Sequence, residues 1–199
     1  MNQSRSETTR QKILQAALDC FSRHGYDATG VAEICQAANI SKGAFYHHFP
    51  SKQAIFVDLL ESWLATLDLA FNQALNSGKP VPETLTEMAQ VAPSVYQVAG
   101  GWLPMFLEFW AQSMRDPLIG AKVIAPYRRY QRMFADLLER GVAEGSLETI
   151  DTNMAARGLV GLAVGMLLQG LLDPQSADWG NELQQSIYIY LEGIRRRKT

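Results

Sequence analysis

An all-α protein of about nine helices is the fold class that the sequence predicts. Apolar residues recur at helical spacing, as in the stripe formed by Ile13, Leu14, Ala17, Leu18 and Phe21. Short turns rich in Gly, Pro, Asp and Ser separate the periodic segments. No alternating pattern of useful length predicts a strand.

The first helix is predicted to begin in a capping box of Thr8 and Gln11 and to end at Gly25. A short second helix then covers residues 31–38. Asn39 follows it, and asparagine tolerates the left-handed backbone that a tight turn requires. The pattern therefore predicts that a short turn joins the second helix to a third.

Ser41 is the predicted cap of that third helix, which runs to about His48. Pro50 and Ser51 break the chain, and a long fourth helix follows to about Asn76. A loop with Gly and Pro comes next, and the remaining turns are equally well marked. The later helices are predicted at residues 82–99, 103–115, 125–144, 151–172 and 181–197.

Charge is distributed unevenly along the 199 residues, whose formal net charge is −2. Residues 1–53 carry a net charge of +2 and all three histidines, whereas residues 54–199 carry −4. Without the last four basic residues, the segment 54–194 carries −8. Two electrostatically different modules are therefore predicted, with a boundary between residues 53 and 54.

Several classes of protein are disfavoured by composition. Cys20 and Cys35 are the two cysteines, and no CxxC pair suggests zinc or redox chemistry. The polar N-terminus does not resemble a signal peptide. The longest uncharged apolar run, residues 158–172, is shorter than the roughly 18–20 residues that span a bilayer. We expect a soluble, cytoplasmic protein with no metal, no cofactor and no membrane partner.

The second and third helices have the lengths and the tight turn of a helix-turn-helix motif. In such a pair the second helix enters the major groove and presents its N-terminal residues to the bases. Lys42, Tyr46 and His47 are expected on its outer face, where they can contact phosphates or base edges. Gly43 and Ala44 are small enough to let the backbone approach DNA closely.

Residues 21–56, FSRHGYDATGVAEICQAANISKGAFYHHFPSKQAIF, resemble the N-terminal domain of the tetracycline-repressor (TetR/AcrR) family. The pieces G-Y-x-A-T, S-K-G-x-x-Y-x-H-F and S-K-x-x-x-F stand in the family's order and spacing. Two positions depart from it: Gly30 replaces a usual Thr or Ser, and Asn39 replaces a usual Gly. Together with the outward face of the third helix, the resemblance implies DNA contacts at Thr29, Ser41, Lys42, Gly43, Ala44, Tyr46, His47 and Lys52.

The resemblance also implies a homodimeric transcriptional regulator, usually a repressor. Residues 1–53 would bind a palindromic double-stranded DNA operator, with half-sites about one turn (~34 Å) or a multiple apart. Residues 54–199 would bind a small effector and form the dimer. Effector binding would then release the DNA.

An aromatic run in the sixth helix is either ordinary core or the wall of an apolar ligand pocket. Other aromatic residues and a methionine could complete such a pocket. The pocket hypothesis comprises Trp63, Tyr96, Trp102, Met105, Phe106, Phe109, Trp110, Tyr127 and Met166.

The segment 151–172 is apolar nearly all round, so it must be buried on more than one side. Burial against a twin subunit is favoured over a purely intramolecular core, because glycines allow close approach and the last helix adds a second apolar stripe. The predicted dimer interface comprises Gly158, Gly161, Leu162, Gly165, Leu168, Leu183, Ile187, Tyr190, Leu191 and Ile194.

Two other functions stay open on the sequence alone. An enzyme is disfavoured because residues 54–199 contain neither histidine nor cysteine, the usual bases and nucleophiles. A carrier of apolar ligands that has lost DNA binding is suggested by Gly30 alone. The presence of Lys42, Tyr46 and Lys52 argues against that carrier. The alternative for Tyr46 and His47 is that they are merely exposed polar residues.

Overall fold

The computed structural model describes residues 2–99, 107, 110–111, 114 and 117–195. Throughout these residues the regular structure is helical, which confirms the all-α prediction. The helices are α1 (Asn2–His24), α2 (Val31–Ala37), α3 (Lys42–His48), α4 (Lys52–Leu75), α5 (Val81–Ala89), α6 (Ala92–Ala99), α7 (Pro117–Ala143), α8 (Thr152–Leu172) and α9 (Trp179–Ile194).

The chain forms two compact units. The first comprises Met1–Leu64 and Pro104–Val123, and the second comprises Ala65–Leu103 and Ile124–Thr199. In the first unit α1 packs on α2 and α2 packs on α3. In the second unit α9 packs on α5, α6 and α8. The functional boundary at residue 53 remains a prediction.

The start of α1 differs from the predicted capping box. The helix already includes Asn2, because no Gly or Pro interrupts the polar residues that precede Thr8. Thr8 therefore lies inside the helix and not at its start. Gln11 Nε2 donates to Glu7 Oε1 at 3.3 Å, an i,i+4 pair on the helix surface. Gly25 ends the helix with a φ of 84°, as predicted.

Proline accounts for two further differences. The single helix predicted over residues 82–99 is divided into α5 and α6, because Pro93 lacks an N–H and disfavours helical backbone at the residue before it. Conversely, α7 begins at Pro117 and continues through Pro126, so it starts eight residues earlier than predicted. The helix predicted at residues 103–115 lies mostly outside the described residues.

The core of the second unit is built from apolar side chains of α5, α7, α8 and α9, with Leu147 from the loop after α7. Glu144 ties that loop to the start of α5. Its carboxylate accepts hydrogen bonds from the Ser146 hydroxyl at 2.6 Å and from the Val81 N–H at 2.8 Å. These bonds hold the pKa of Glu144 below its ordinary value. The carboxylate therefore supplies the cap that Pro80 cannot give α5.

Gly180→Ala is expected to destabilise the second unit by about 1–3 kcal/mol. A Cβ at this position would stand 2.7 Å from the Cα of Pro93, and backbone cannot move aside as a flexible side chain can. Chemical denaturation measures the effect. Gly193→Ala on the same helix is the matched control, because its Cβ would meet nothing within 4 Å. Equal stability of the two variants would contradict the close packing of α6 on α9.

Candidate nucleic-acid interface

A tight turn joins α2 to α3. Asn39 has a φ of 53°, the left-handed conformation predicted for it. The amide of Ile40 donates to the Cys35 carbonyl at 3.0 Å, which closes the C-terminus of α2. Ser41 then caps α3, and its Oγ accepts from the Ala44 N–H at 3.1 Å. The predicted capping by Ser41 is confirmed, and the direction of α3 is set by this short sequence.

One face of α3 is anchored in the core of the first unit. Phe45 is fully buried, and its ring lies 6.4 Å from that of Phe49. Ile34 of α2 is likewise buried. Because Phe45 and Phe49 are one helical turn apart, their burial turns the opposite face of α3 outward.

The outward face carries the side chains predicted to meet DNA. Lys42, Gly43 and His47 are exposed, and 56% of the Tyr46 surface is accessible. The Tyr46 ring rests edge-on against Phe45 at 5.2 Å between centroids, so a large side chain with a hydroxyl is held on the surface. Ala44 is half-buried. Contact of these residues with DNA stays a prediction.

Thr29 does not fit the predicted DNA contact. Its side chain is buried, with 1% accessible, and its Oγ1 donates to the Gly25 carbonyl at 2.8 Å. The hydroxyl is therefore committed to the turn between α1 and α2 and is not available to a phosphate. The next residue, Gly30, is the N-cap of α2 and offers no side-chain cap; a Cβ there would meet nothing within 4 Å.

Lys52 also differs from its predicted role as a phosphate contact at the start of α4. Its ammonium donates to the carbonyls of Tyr26 at 2.6 Å, Thr29 at 3.0 Å and Asp27 at 3.3 Å. The nitrogen lies 4.3 Å from the centroid of the Tyr26 ring. The sequence could not reveal this arrangement, because the carbonyls lie more than twenty residues earlier in the chain.

Two side-chain contacts that the sequence did not reveal link helices of the first unit. Arg10 of α1 pairs with Asp58 of α4, and its guanidinium lies 5.3 Å from the centroid of the Phe49 ring. The Nδ1 atom of His24 at the end of α1 is hydrogen-bonded to the Glu33 carboxylate of α2. Both link the helices that surround α3, and neither pair is close enough in sequence to leave a local signal.

The predicted ligand-pocket residues are described only in part. Trp102, Met105, Phe106 and Phe109 lie outside the described residues. Trp63 and Trp110 are half-buried in the first unit, whereas Tyr96, Tyr127 and Met166 are half-buried in the second. Burial raises the pKa of Tyr96 and of Tyr127, so both phenols stay neutral at physiological pH.

Tyr96 packs against a glycine. Its hydroxyl occupies the space that a Cβ of Gly170 would fill, and the Trp179 ring borders the same space. The hydroxyl oxygen is buried and has no hydrogen-bond partner among the described residues. Tyr96 therefore joins α6 to α8 within the second unit.

A polar surface cleft of about 520 Å³ lies in the second unit, where the sequence suggested no site. Two ion pairs cross it, Lys79 with Glu87 at 3.0 Å and Arg195 with Glu83 at 3.7 Å. Its lining consists of Lys79, Pro82, Glu83, Thr86, Glu87, Gln90 and Arg195. Because its charged groups are already paired with one another, the cleft offers no unmatched charge to a ligand.

The predicted dimer interface is only partly at the surface. Leu183 and Leu191 are buried within the protomer, so their assignment to the interface was wrong. The Tyr190 hydroxyl donates to the Ala155 carbonyl at 2.9 Å, which joins α9 to α8. Ile187 and Ile194 pack partly against the core of the same protomer.

The other predicted interface residues lie on the outward side of α8. Gly158 and Gly161 are exposed, Leu168 is exposed, and Leu162 and Gly165 are half-buried. Three exposed apolar residues that sequence analysis missed are Met154, Leu172 and Ile189.

Helix α8 is long and apolar enough to cross a membrane by length and composition alone. Its mean hydropathy is 1.6 over the most apolar window, of which 28% is buried within the protomer. The 21-residue helix is longer than the uncharged run of residues 158–172, because it includes the polar first turn and Arg157. A core helix of a globular protein passes the same test.

The capped pair α2–α3, with one anchored face and one polar outward face, defines the class of helix-turn-helix DNA-binding proteins. A family model of bacterial regulatory proteins, tetR family, matches residues 13–59. A second model, of the BetI-type transcriptional repressor C-terminal domain, matches residues 83–194 and so includes α8. The chain belongs to the TetR family of transcriptional regulators, which are DNA-binding proteins and typically repressors.

Relatives and solved structures agree with this assignment. The chain is 30% identical over 141 residues to the transcriptional repressor AcnR of Corynebacterium glutamicum, and the aligned region covers 71% of this chain and 70% of that protein. It is 26% identical over 166 residues to the regulator UidR of Escherichia coli K12, covering 83% of each. A regulator from Saccharomonospora viridis, solved in complex with choline, has the same fold, with a TM-score of 0.78 at 22% identity over 96% of this chain and 100% of that one.

Proposed function

We propose that this chain is a homodimeric repressor that binds a palindromic operator through α3 and releases it when a small molecule binds the C-terminal domain. The observation that carries the proposal is the outward face of α3. Lys42, Tyr46 and His47 project from a helix that is capped by Ser41 and anchored by Phe45. This is how a helix-turn-helix presents its recognition helix to a major groove.

The charge distribution supports a dimer. A module with a net charge of +2 neutralises few phosphates, and affinity for DNA depends on how many phosphates are neutralised. Two modules acting together double the contacts and fit a two-fold symmetric site. Dimerisation therefore raises both affinity and specificity.

The surface of α8 supports the same assembly. Its outward apolar and small residues follow spacings of four and three: Met154, Gly158, Gly161, Gly165, Leu168 and Leu172. This period of about 3.5 residues is that of two helices packed side by side. A Cβ at Gly161 or Gly165 would meet nothing within 4 Å among the described residues, which supports the approach of a partner helix there.

Effector binding is proposed for the C-terminal domain, in which residues 83–194 match the family model of the BetI-type repressor C-terminal domain. The S. viridis neighbour binds choline, which makes choline a reasonable first probe. The aromatic residues predicted for the pocket favour a largely apolar molecule or a cation whose charged group carries apolar substituents. An effector that favours one position of α4 would change the separation of the two recognition helices and lower operator affinity. Such a regulator acts in the cytoplasm.

Selection from a library of random-sequence duplexes tests the DNA-binding part. The full-length protein should enrich an inverted repeat whose half-sites lie about 34 Å, or a multiple, apart. Failure to enrich any repeat would contradict the proposed function. Choline titrated with and without the selected duplex tests the effector part, because linkage requires the duplex to weaken choline binding by the factor by which choline weakens duplex binding. Independent binding would rule out choline as the effector.

A further inference from the structure

The ammonium of Lys52 is surrounded by backbone oxygens. It donates to the carbonyls of Tyr26, Asp27 and Thr29, at 2.6–3.3 Å. An ammonium has three N–H donors, and these three carbonyls match them in number. The fully buried ring of Tyr26 lies beneath it at 4.3 Å, within the range of a cation–π interaction.

The position of these carbonyls in the chain indicates which segments the Lys52 side chain connects. They belong to the turn between α1 and α2, and α2 begins at Val31, two residues after Thr29. Lys52 itself is the first residue of α4 and follows the end of α3 at His48 by four residues. One side chain therefore connects the segment that enters the α2–α3 pair to the segment that leaves it.

We propose that Lys52 is a positioning residue that holds the α2–α3 pair in its DNA-binding arrangement and does not contact a phosphate. The inference rests on the proposed function and assigns a role within it. To bind a phosphate, the ammonium would have to release at least one carbonyl and leave that oxygen without its charged donor. The compact ammonium suits three converging carbonyls better than the planar guanidinium of arginine does.

The salt dependence of DNA affinity distinguishes a lysine that contacts a phosphate from one that positions the helices. Each phosphate contact contributes about 0.9 to the slope of log affinity against log salt, so loss of one contact per protomer lowers the slope of a dimer by about 1.8. A positioning residue changes affinity without changing the number of neutralised phosphates. Affinity measured where the variant is fully folded separates positioning from a purely structural role, because a structural role would lower the melting temperature and leave the affinity of the folded dimer unchanged.

The experiment compares Lys52→Met with Lys42→Met in full-length protein, using the duplex selected by the wild-type protein. Lys42 is exposed on the outward face of α3, so the same substitution there is the matched control. We expect Lys52→Met to weaken binding about tenfold or more, as suits the loss of a charge-assisted contact, with an unchanged slope. Lys42→Met should weaken binding and lower the slope. Circular dichroism and sedimentation confirm that each variant is a folded dimer at the assay temperature.

Several results would overturn the inference. A slope lowered by about 1.8 in Lys52→Met would make Lys52 a phosphate contact. Wild-type affinity in a folded Lys52→Met dimer, with or without a lower melting temperature, would show that the Lys52 contacts do not affect DNA binding. If Lys52→Met does not fold, Lys52→Arg replaces it: the retained charge preserves a phosphate contact, so wild-type affinity would overturn the inference and a loss of about threefold or more would support it. Absence of wild-type binding to every selected duplex would contradict the proposed function itself.

Discussion

Tyr46→Ala is expected to abolish operator binding at concentrations where the wild-type protein saturates the site. Tyr46 is the largest side chain on the outward face of α3, and more than half of its surface is accessible. A well-placed contact at a base or phosphate is worth about 1–3 kcal/mol, and a symmetric dimer loses it twice. The combined loss corresponds to at least about thirtyfold in affinity.

The fold should survive this change. Tyr46 touches Phe45 edge-on but contributes little to the core, so its removal is expected to cost less than about 1 kcal/mol of unfolding free energy. Fluorescence anisotropy measures operator binding, and circular dichroism measures unfolding. Tyr46→Phe separates the two parts of the side chain, because it keeps the ring and removes the hydroxyl. Tight binding by Tyr46→Ala would place the recognition surface elsewhere.

Gly161→Glu is expected to convert the dimer to a monomer without unfolding the protomer. Gly161 lies in the middle of the apolar stripe on α8, and a Cβ there would meet nothing within 4 Å among the described residues. Glutamate also favours helix over glycine. At a two-fold interface the change would bury two like charges close together, at a cost of several kcal/mol. We expect the dimer dissociation constant to rise at least about a thousandfold.

Sedimentation measures the oligomeric state, and operator affinity should fall together with it. Ala125→Glu is the matched control, because it places the same side chain on an exposed position of α7. That variant should remain dimeric and bind the operator as the wild type does. A dimer of unchanged strength in Gly161→Glu would show that α8 is not the surface on which two protomers meet.

Local signals made the DNA-binding end of the chain predictable. Gly25, Asn39 and Ser41 act on backbone within four residues, and each has the conformation or cap that was expected of it. The break between α5 and α6 was missed because an apolar period continues across Pro93. A period reports which residues are buried, whereas a proline reports where hydrogen bonding is interrupted.

The roles of Thr29 and Lys52 could not be predicted from the sequence, because their partners depend on how α1, α2 and α4 meet. A lysine near a recognition helix is equally compatible with a phosphate and with a cluster of carbonyls. Leu183 and Leu191 illustrate a related limit. Apolar periodicity showed that their face of α9 is covered, but not whether the same chain or a second one covers it.

The apolar stripe on α8 has a consequence for how much of this protein a cell must make. If only paired protomers hold the operator, occupancy at low abundance follows the square of the protomer concentration. Halving gene expression would then reduce repression by more than half. Unpaired protomers would also expose this apolar surface to chaperones and proteases. Their removal would make operator occupancy fall still more steeply as the protomer concentration decreases.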